Sequence, residues 1–116
     1  MKTKNSKIEK RLRLKKKIRT KIFGTEVMPR LSVYRSNQFI YAQLINDTTG
    51  KTLGSVSDIK IGKGTKTERA QEAGKMIADI AKKNNITKVV FDRNGFKYTG
   101  RIAALATSAR ANGLTF

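Results

Sequence analysis

The stretch KVVFDRNGFKYTGR, Lys88 to Arg101, decides how this chain folds. Its first half, KVVFD, carries three consecutive apolar residues, Val89, Val90 and Phe91, the pattern of a short strand covered on both faces. Its second half is a loop punctuated by Gly95 and Gly100. After it, Ile102, Leu105, Ala106 and Ala109 recur on one face of a predicted helix, and Gly113 is placed to terminate that helix. Leu114 and Phe116 are expected to tuck back against the core.

Working outward toward the N-terminus, Asn84 and Asn85 close a preceding helix. In it Ala70, Ala73, Ile77, Ile80 and Ala81 form one apolar stripe, with Glu72, Lys75, Asp79 and Lys82 elsewhere. Thr65 and Glu68 have capping-box spacing at its start. A strand, helix, strand succession implies parallel pairing by a right-handed crossover. Before the helix, RLSVYRSN from Arg30, FIYAQLIND from Phe39 and KTLGSVSD from Lys51 are rich in β-branched and aromatic residues and separated by short polar turns, so they read as an antiparallel meander. The expected fold is therefore α/β in the mixed α+β sense: a four-stranded mixed sheet, three strands antiparallel and one parallel, with two packed helices. It occupies residues 29–116, and a basic arm occupies residues 1–28, helical or disordered when free.

At 116 residues a single core of modest size is expected. The formal charge is +18, from 26 Lys and Arg against 8 Asp and Glu, with a pI near 10.7. That excess points to a polyanionic partner. No apolar run is long enough to span a bilayer. Cysteine and histidine are absent, which removes thiolate and imidazole metal sites, cysteine nucleophiles and the usual general base. No cofactor, metal or small-molecule substrate is expected.

Within the arm, Met1 to Lys21 holds more than half of the net charge. Its cations are Lys2, Lys4, Lys7, Lys10, Arg11, Arg13, Lys15, Lys16, Lys17, Arg19 and Lys21, opposed by Glu9 alone. Ile8 and Leu12 are four apart, as are Leu14, Ile18 and Ile22, so the arm is able to form a helix with a thin apolar seam. Its charge density suits an arm that orders on phosphates.

Glycine patterns elsewhere do not make nucleotide sites. TTGKT, Thr48 to Thr52, lacks the earlier glycine of a phosphate loop, the place being taken by Ile45, and reads as a hairpin turn. Gly62 and Gly64 frame a basic loop that lacks the rest of a dinucleotide fingerprint. A metal-dependent nuclease would need converging carboxylates; Asp47 and Asp58 sit at turn and strand ends, leaving Asp92 as one carboxylate at the end of a core strand. Asp92 is expected to be salt-bridged, with Arg93 adjacent and Arg101 able to fold back toward it, or amide-bonded, supporting the loop together with Gly95, Phe96 and Gly100.

Cations remain. Arg93, Lys97 and Arg101 surround a helix start, where free amides and the positive end of the dipole favour an anion. Phe96 and Tyr98 alternate, so that one anchors the loop and the other is free to stack on a base or ribose. At the first hairpin, Arg30, Arg35, Ser36 and Asn37 place cations and donors around a turn, with Tyr34 and Tyr41 close by. Cations interleaved with aromatics suit folded RNA rather than a membrane surface.

PRLSVYRSNQFIYAQLIND, KTLGSVS and ITKVVFDRNGFKYTGRIAALATSARANGLTF, in this order around an amphipathic helix, resemble the bacterial-type L18 family of large-subunit ribosomal proteins. The resemblance covers Pro29 to Phe116, and the basic arm has the expected place. It implies a protein that is not an enzyme, binds 5S rRNA, and helps fix it to the large rRNA in the central protuberance beside neighbouring 5S-binding proteins, in the cytoplasm or an organelle. It also implies a ribonuclease-H-like topology related to that of small-subunit protein eleven. The family's hairpin motif falls on Arg30, Arg35, Ser36, Asn37 and Tyr41, and its loop motif on Asp92, Arg93, Gly95, Phe96, Lys97, Tyr98, Gly100 and Arg101. The arm cations from Lys10 to Lys21 are expected to join them on RNA. Two departures are visible: Thr99 stands where histidine is common, and Asn94 where glycine or serine is. Thr99 retains the ability to cap the helix. The alternatives are a generic nucleic-acid packaging protein and the nuclease considered above.

Overall fold

The computed structural model of the protein describes residues 6–19, 22–61 and 64–116. Lys2, Lys4, Lys21 and Gly62, all noted in the sequence, lie outside the described residues, as do the side chains of Lys7 and Arg19. In chain order the elements are helix α1 (Ser6–Arg19), strands β1 (Arg30–Arg35), β2 (Ile40–Asn46) and β3 (Lys51–Ser57), a 3-10 turn (Asp58–Lys60), helix α2 (Lys66–Lys83), strand β4 (Val90–Asp92) and helix α3 (Gly100–Ala111).

The strands form one mixed sheet in the order β3-β2-β1-β4. β1 is antiparallel to β2, with Leu31 opposite Leu44 and Val33 opposite Ala42. It is parallel to β4, with Leu31 beside Phe91 and Ser32 beside Asp92. The meander and the parallel strand are thus as the apolar patterning implies. Because side chains alternate across a strand, Leu31, Val33, Ala42 and Leu44 share one face, and all four are fully buried. Ala70, Ala73, Ile77 and Ala81 of α2 and Ile102, Leu105 and Ala109 of α3 join them in one core.

Small residues let these layers close. A Cβ on Gly54 would run into the Ile80 side chain, and one on Gly74 into the carbonyl of Leu105. The capping box of α2 is present in both halves: Thr65 Oγ1 accepts from the Glu68 amide at 3.2 Å, and Glu68 Oε1 from the Thr65 amide at 3.4 Å. Asn85, with φ of 59°, turns the chain out of α2. Gly113, with φ of 113°, does so after α3.

β4 is a short edge strand, and the C-terminus covers its outer side. The Val89 amide donates to the Thr115 carbonyl at 3.1 Å and the Thr115 amide to that of Thr87 at 2.9 Å. Phe116 stacks on Phe91 with centroids 5.3 Å apart, and Leu114 is buried. This accounts for the apolar run at 89–91: an edge that would otherwise expose unpaired backbone is closed.

Candidate nucleic-acid interface

On the face of the sheet opposite the Leu31 and Val33 core lies an ion network centred on Arg30. Its Nη1 donates to Asp92 Oδ2 at 2.8 Å, while Nε and Nη2 donate to Asp47 at 2.9 and 3.0 Å. Hydrogen bonding to Asp47 raises the Arg30 pKa; burial opposes the rise and Asp92 adds to it. The sequence places Arg30 on the RNA-facing edge and gives Asp92 to Arg93 or Arg101. In the structure Arg30 is 5% exposed, and Asp92 is salt-bridged and amide-bonded, with Arg30 rather than Arg93 or Arg101 as its cation. A buried carboxylate needs a nearby cation, and β4 pairing with β1 supplies one from a residue 62 positions away.

Asn94, noted only as a departure, completes this support. Its amide donates to Asp92 Oδ1 at 2.9 Å, and its Nδ2 to Ser32 Oγ at 2.8 Å and the Val33 carbonyl at 2.9 Å. It has φ of 53°, a left-handed conformation that asparagine tolerates. These carboxylates are arranged for structure: a guanidinium sits between Asp47 and Asp92. Asp58, fully buried elsewhere, accepts from the Ile40 amide at 3.0 Å and lies 3.7 Å from Arg69. Among the described residues no group of three potential metal ligands occurs.

The β1–β2 turn gathers the cations. Ser36 caps it by accepting from the Phe39 amide. Its carbonyl accepts from Arg101 Nη2 at 2.7 Å, while that of Asn37 accepts from Lys66 Nζ at 2.6 Å. The turn is therefore tied to the N-terminal ends of α2 and α3, whose dipoles add positive potential. Burial lowers the Arg101 pKa, followed by repulsion from Arg35 and Arg69, with Asp58 acting the other way. Arg101 Nη1 is buried and has no hydrogen-bond partner. Thr99 occupies the N-cap of α3, but its side chain makes no capping bond, so the helix start it was expected to cap keeps its amides free of that competitor.

The loop aromatics divide. Phe96 anchors: it meets Tyr34 edge-on at 5.3 Å, and the guanidinium carbons of Arg11 and Arg35 lie 4.6 and 5.7 Å from its ring centre. Tyr98 turns the other way, perpendicular to Phe91, and accepts from Arg110 Nη1 at 3.2 Å while remaining 40% exposed. Arg93 donates to the Phe96 carbonyl, Lys97 is exposed, and Tyr41 lies beside Tyr34. Gly95 and Gly100 both have positive φ. The structure brings Arg35, Ser36, Asn37, Phe96 and Arg101 together and sets Tyr98 apart near the β4 edge.

Along α1, Lys10, Arg13, Lys16 and Lys17 are exposed, whereas Arg11, Lys15 and Ile18 are half-buried. Ile8 and Leu12 stay exposed. Of the apolar seam read from the spacing, Ile8, Leu12 and Leu14 are thus exposed, and Ile18 and Ile22 are half-buried. Lys66 and Arg69 were missed as members of the cationic end. Both follow Thr65 closely, so the capping box marks their helix start, but only the topology brings that start to the hairpin.

Comparison with known proteins bears on this surface. The model of the family "ribosomal L18 of archaea, bacteria, mitochondria and chloroplast" matches residues 4–116. The chain is similar to the large ribosomal subunit protein uL18 of Lactococcus lactis subsp. lactis, 56% identical over 100 residues covering 86% of each chain. It is similar also to uL18 of Lactobacillus acidophilus, 55% identical over 108 residues (91% of this chain and 92% of that one). To uL18 of Limosilactobacillus reuteri it is 54% identical over 113 residues, 96% of this chain and 94% of that one.

Proposed function

This chain belongs to the ribosomal L18 family, and from that premise we propose that it is a structural constituent of the large ribosomal subunit that binds 5S rRNA and helps attach it to the large rRNA in the central protuberance. Membership makes it a component of the translation machinery rather than an enzyme. Its partners in this reading are 5S rRNA, the large rRNA and neighbouring 5S-binding proteins, and its place is the cytoplasmic ribosome.

The observation that carries the RNA reading is the cationic end. Arg35, Lys66, Arg69 and Arg101 converge around one turn, and Arg101 retains a buried, unpartnered Nη1. Arg35 and Arg69 both repel Arg101 in the free protein, and a phosphate placed among them relieves that repulsion. The fold tolerates this because the turn carbonyls hold Lys66 and Arg101 in position.

The test is Arg35→Ala and Arg101→Ala, each titrated with 5S rRNA over a range of salt. Each is expected to weaken binding and to reduce the salt slope by about one, with circular dichroism unchanged. Unaltered affinity in both would remove this end from the interface.

A further inference from the structure

Asp58 is a buried carboxylate that the Arg30 network does not use, and it is only 1% exposed. Its Oδ1 accepts from the Ile40 amide at 3.0 Å, where the chain leaves the β1–β2 turn, and its Oδ2 lies 3.7 Å from Arg69 Nε near the start of α2. It also attracts Arg101 at the start of α3, against the repulsion from Arg35 and Arg69. Among the described residues, the buried side-chain polar atoms without a hydrogen-bond partner are Asp58 Oδ2, Arg69 Nε and Arg101 Nη1. All three belong to this one cluster. A single carboxylate thus acts on guanidinium groups from two helices while its other oxygen fixes the strand leaving the turn.

We propose that Asp58 is a positioning residue for RNA recognition, holding Arg69 and Arg101 beside the β1–β2 turn so that the cationic end meets RNA as a fixed constellation. The proposal rests on the RNA reading above and adds what sets its selectivity. Neighbouring guanidinium groups repel, and without a counter-ion between them they are driven apart. A carboxylate at a polyanion-binding end lowers attraction for every polyanion alike. What Asp58 contributes there is geometry. The 3.7 Å approach is too long for a hydrogen bond, so Asp58 holds Arg69 by charge and leaves its donors uncommitted. Arg101 is fixed from a second side, through its bond to the Ser36 carbonyl. Both arginines stay half-buried and open to a ligand. Ordering them beforehand removes part of the entropy that binding would otherwise lose, and favours the RNA whose phosphates fit their spacing.

The test compares Asp58→Asn, whose side-chain carbonyl still accepts from the Ile40 amide, with Asp79→Asn, which removes the same charge from an exposed site on α2. Two quantities are read in the full chain: nitrogen relaxation of the arginine Nε–H groups without RNA, and affinities for 5S rRNA and for duplex DNA at matched salt. In the native protein and in Asp79→Asn, Arg69 and Arg101 are expected to be more ordered than exposed Arg13, with 5S rRNA preferred to the same degree in both. Asp58→Asn should bring both arginines to the mobility of Arg13 and reduce the preference for 5S rRNA about tenfold, through weaker 5S rRNA binding despite the gain in net positive charge. If Asp58→Asn instead binds both polyanions more tightly by the same factor, or keeps the native preference, Asp58 is no positioning residue. Native Arg69 and Arg101 side chains as mobile as Arg13, a measurement that needs no variant, would equally overturn the proposal. A native chain with no preference for 5S rRNA, whose arginines are nonetheless ordered and become mobile in Asp58→Asn, would overturn the RNA reading and uphold the positioning.

Discussion

Two arginines of this chain show how environment sets the role of one residue type. Arg30 is buried between two carboxylates, and its pKa is raised chiefly by Asp47. A raised folded pKa means its stabilisation is fully present below the ordinary arginine value and is lost only as pH rises through the still higher folded one. The network therefore holds throughout the neutral range. Asp92→Asn should cost roughly 3–5 kcal/mol, the usual penalty for breaking a buried pair, tempered by Asp47; urea denaturation at several pH values near neutrality should show the same loss at each. Arg101 has the opposite sign. Burial and neighbouring cations lower its pKa, so the charged form is held at a cost that persists at every pH below the folded value. Arg101→Gln is expected to leave the melting temperature unchanged or higher while weakening RNA binding. A lower melting temperature with native affinity would contradict this division of roles.

At the scale of elements, termini and caps decide more than propensity. Removing the Thr65 cap by Thr65→Ala should cost about 1 kcal/mol, measured by chemical denaturation. Deleting residues 114–116 strips the covering from β4, exposing Phe91 and the core surface that Leu114 packs against, a loss of about 2–5 kcal/mol on ordinary burial energetics. Thermal melts of the truncated chain would check it, and native stability would show that the covering is dispensable. Much of this was legible in the sequence because it is local. The capping box, the two asparagines after α2, the meander and Gly113 depend on neighbours within a few positions. What was not legible depends on topology. Asp92 pairs with Arg30 because β4 lies beside β1, and nothing near Asp92 in the chain announces that. The assignment of Phe96 as anchor and Tyr98 as the exposed ring turns on which side α1 occupies. The arm misleads for the same reason: Ile8 and Leu12 have seam spacing, yet the contact is made by Arg11, because Phe96, Tyr34 and the Asn94 carbonyl form a site for a cation.

For the whole molecule, the governing feature is a charge of +18 spread unequally over a small domain. More than half belongs to residues 1–21, so deleting them should lower both RNA affinity and the steepness of its salt dependence; an unchanged slope would show that this segment contacts no phosphates. If arm and cationic end together neutralise roughly six to ten phosphates, binding should fall about a thousandfold or more between low and moderate salt. Charge alone gives affinity for any polyanion. Selectivity must come from the fixed geometry of the turn and the loop against RNA shape. The measurement that separates these is competition for labelled 5S rRNA by unlabelled duplex DNA and by an unrelated structured RNA, at two salt concentrations. Recognition by shape predicts that 5S rRNA outcompetes both, and that its advantage persists at the higher salt, where non-specific contacts weaken most. Equal competition by all three at both concentrations would contradict 5S rRNA recognition and leave the protein a polycation on a ribosomal fold.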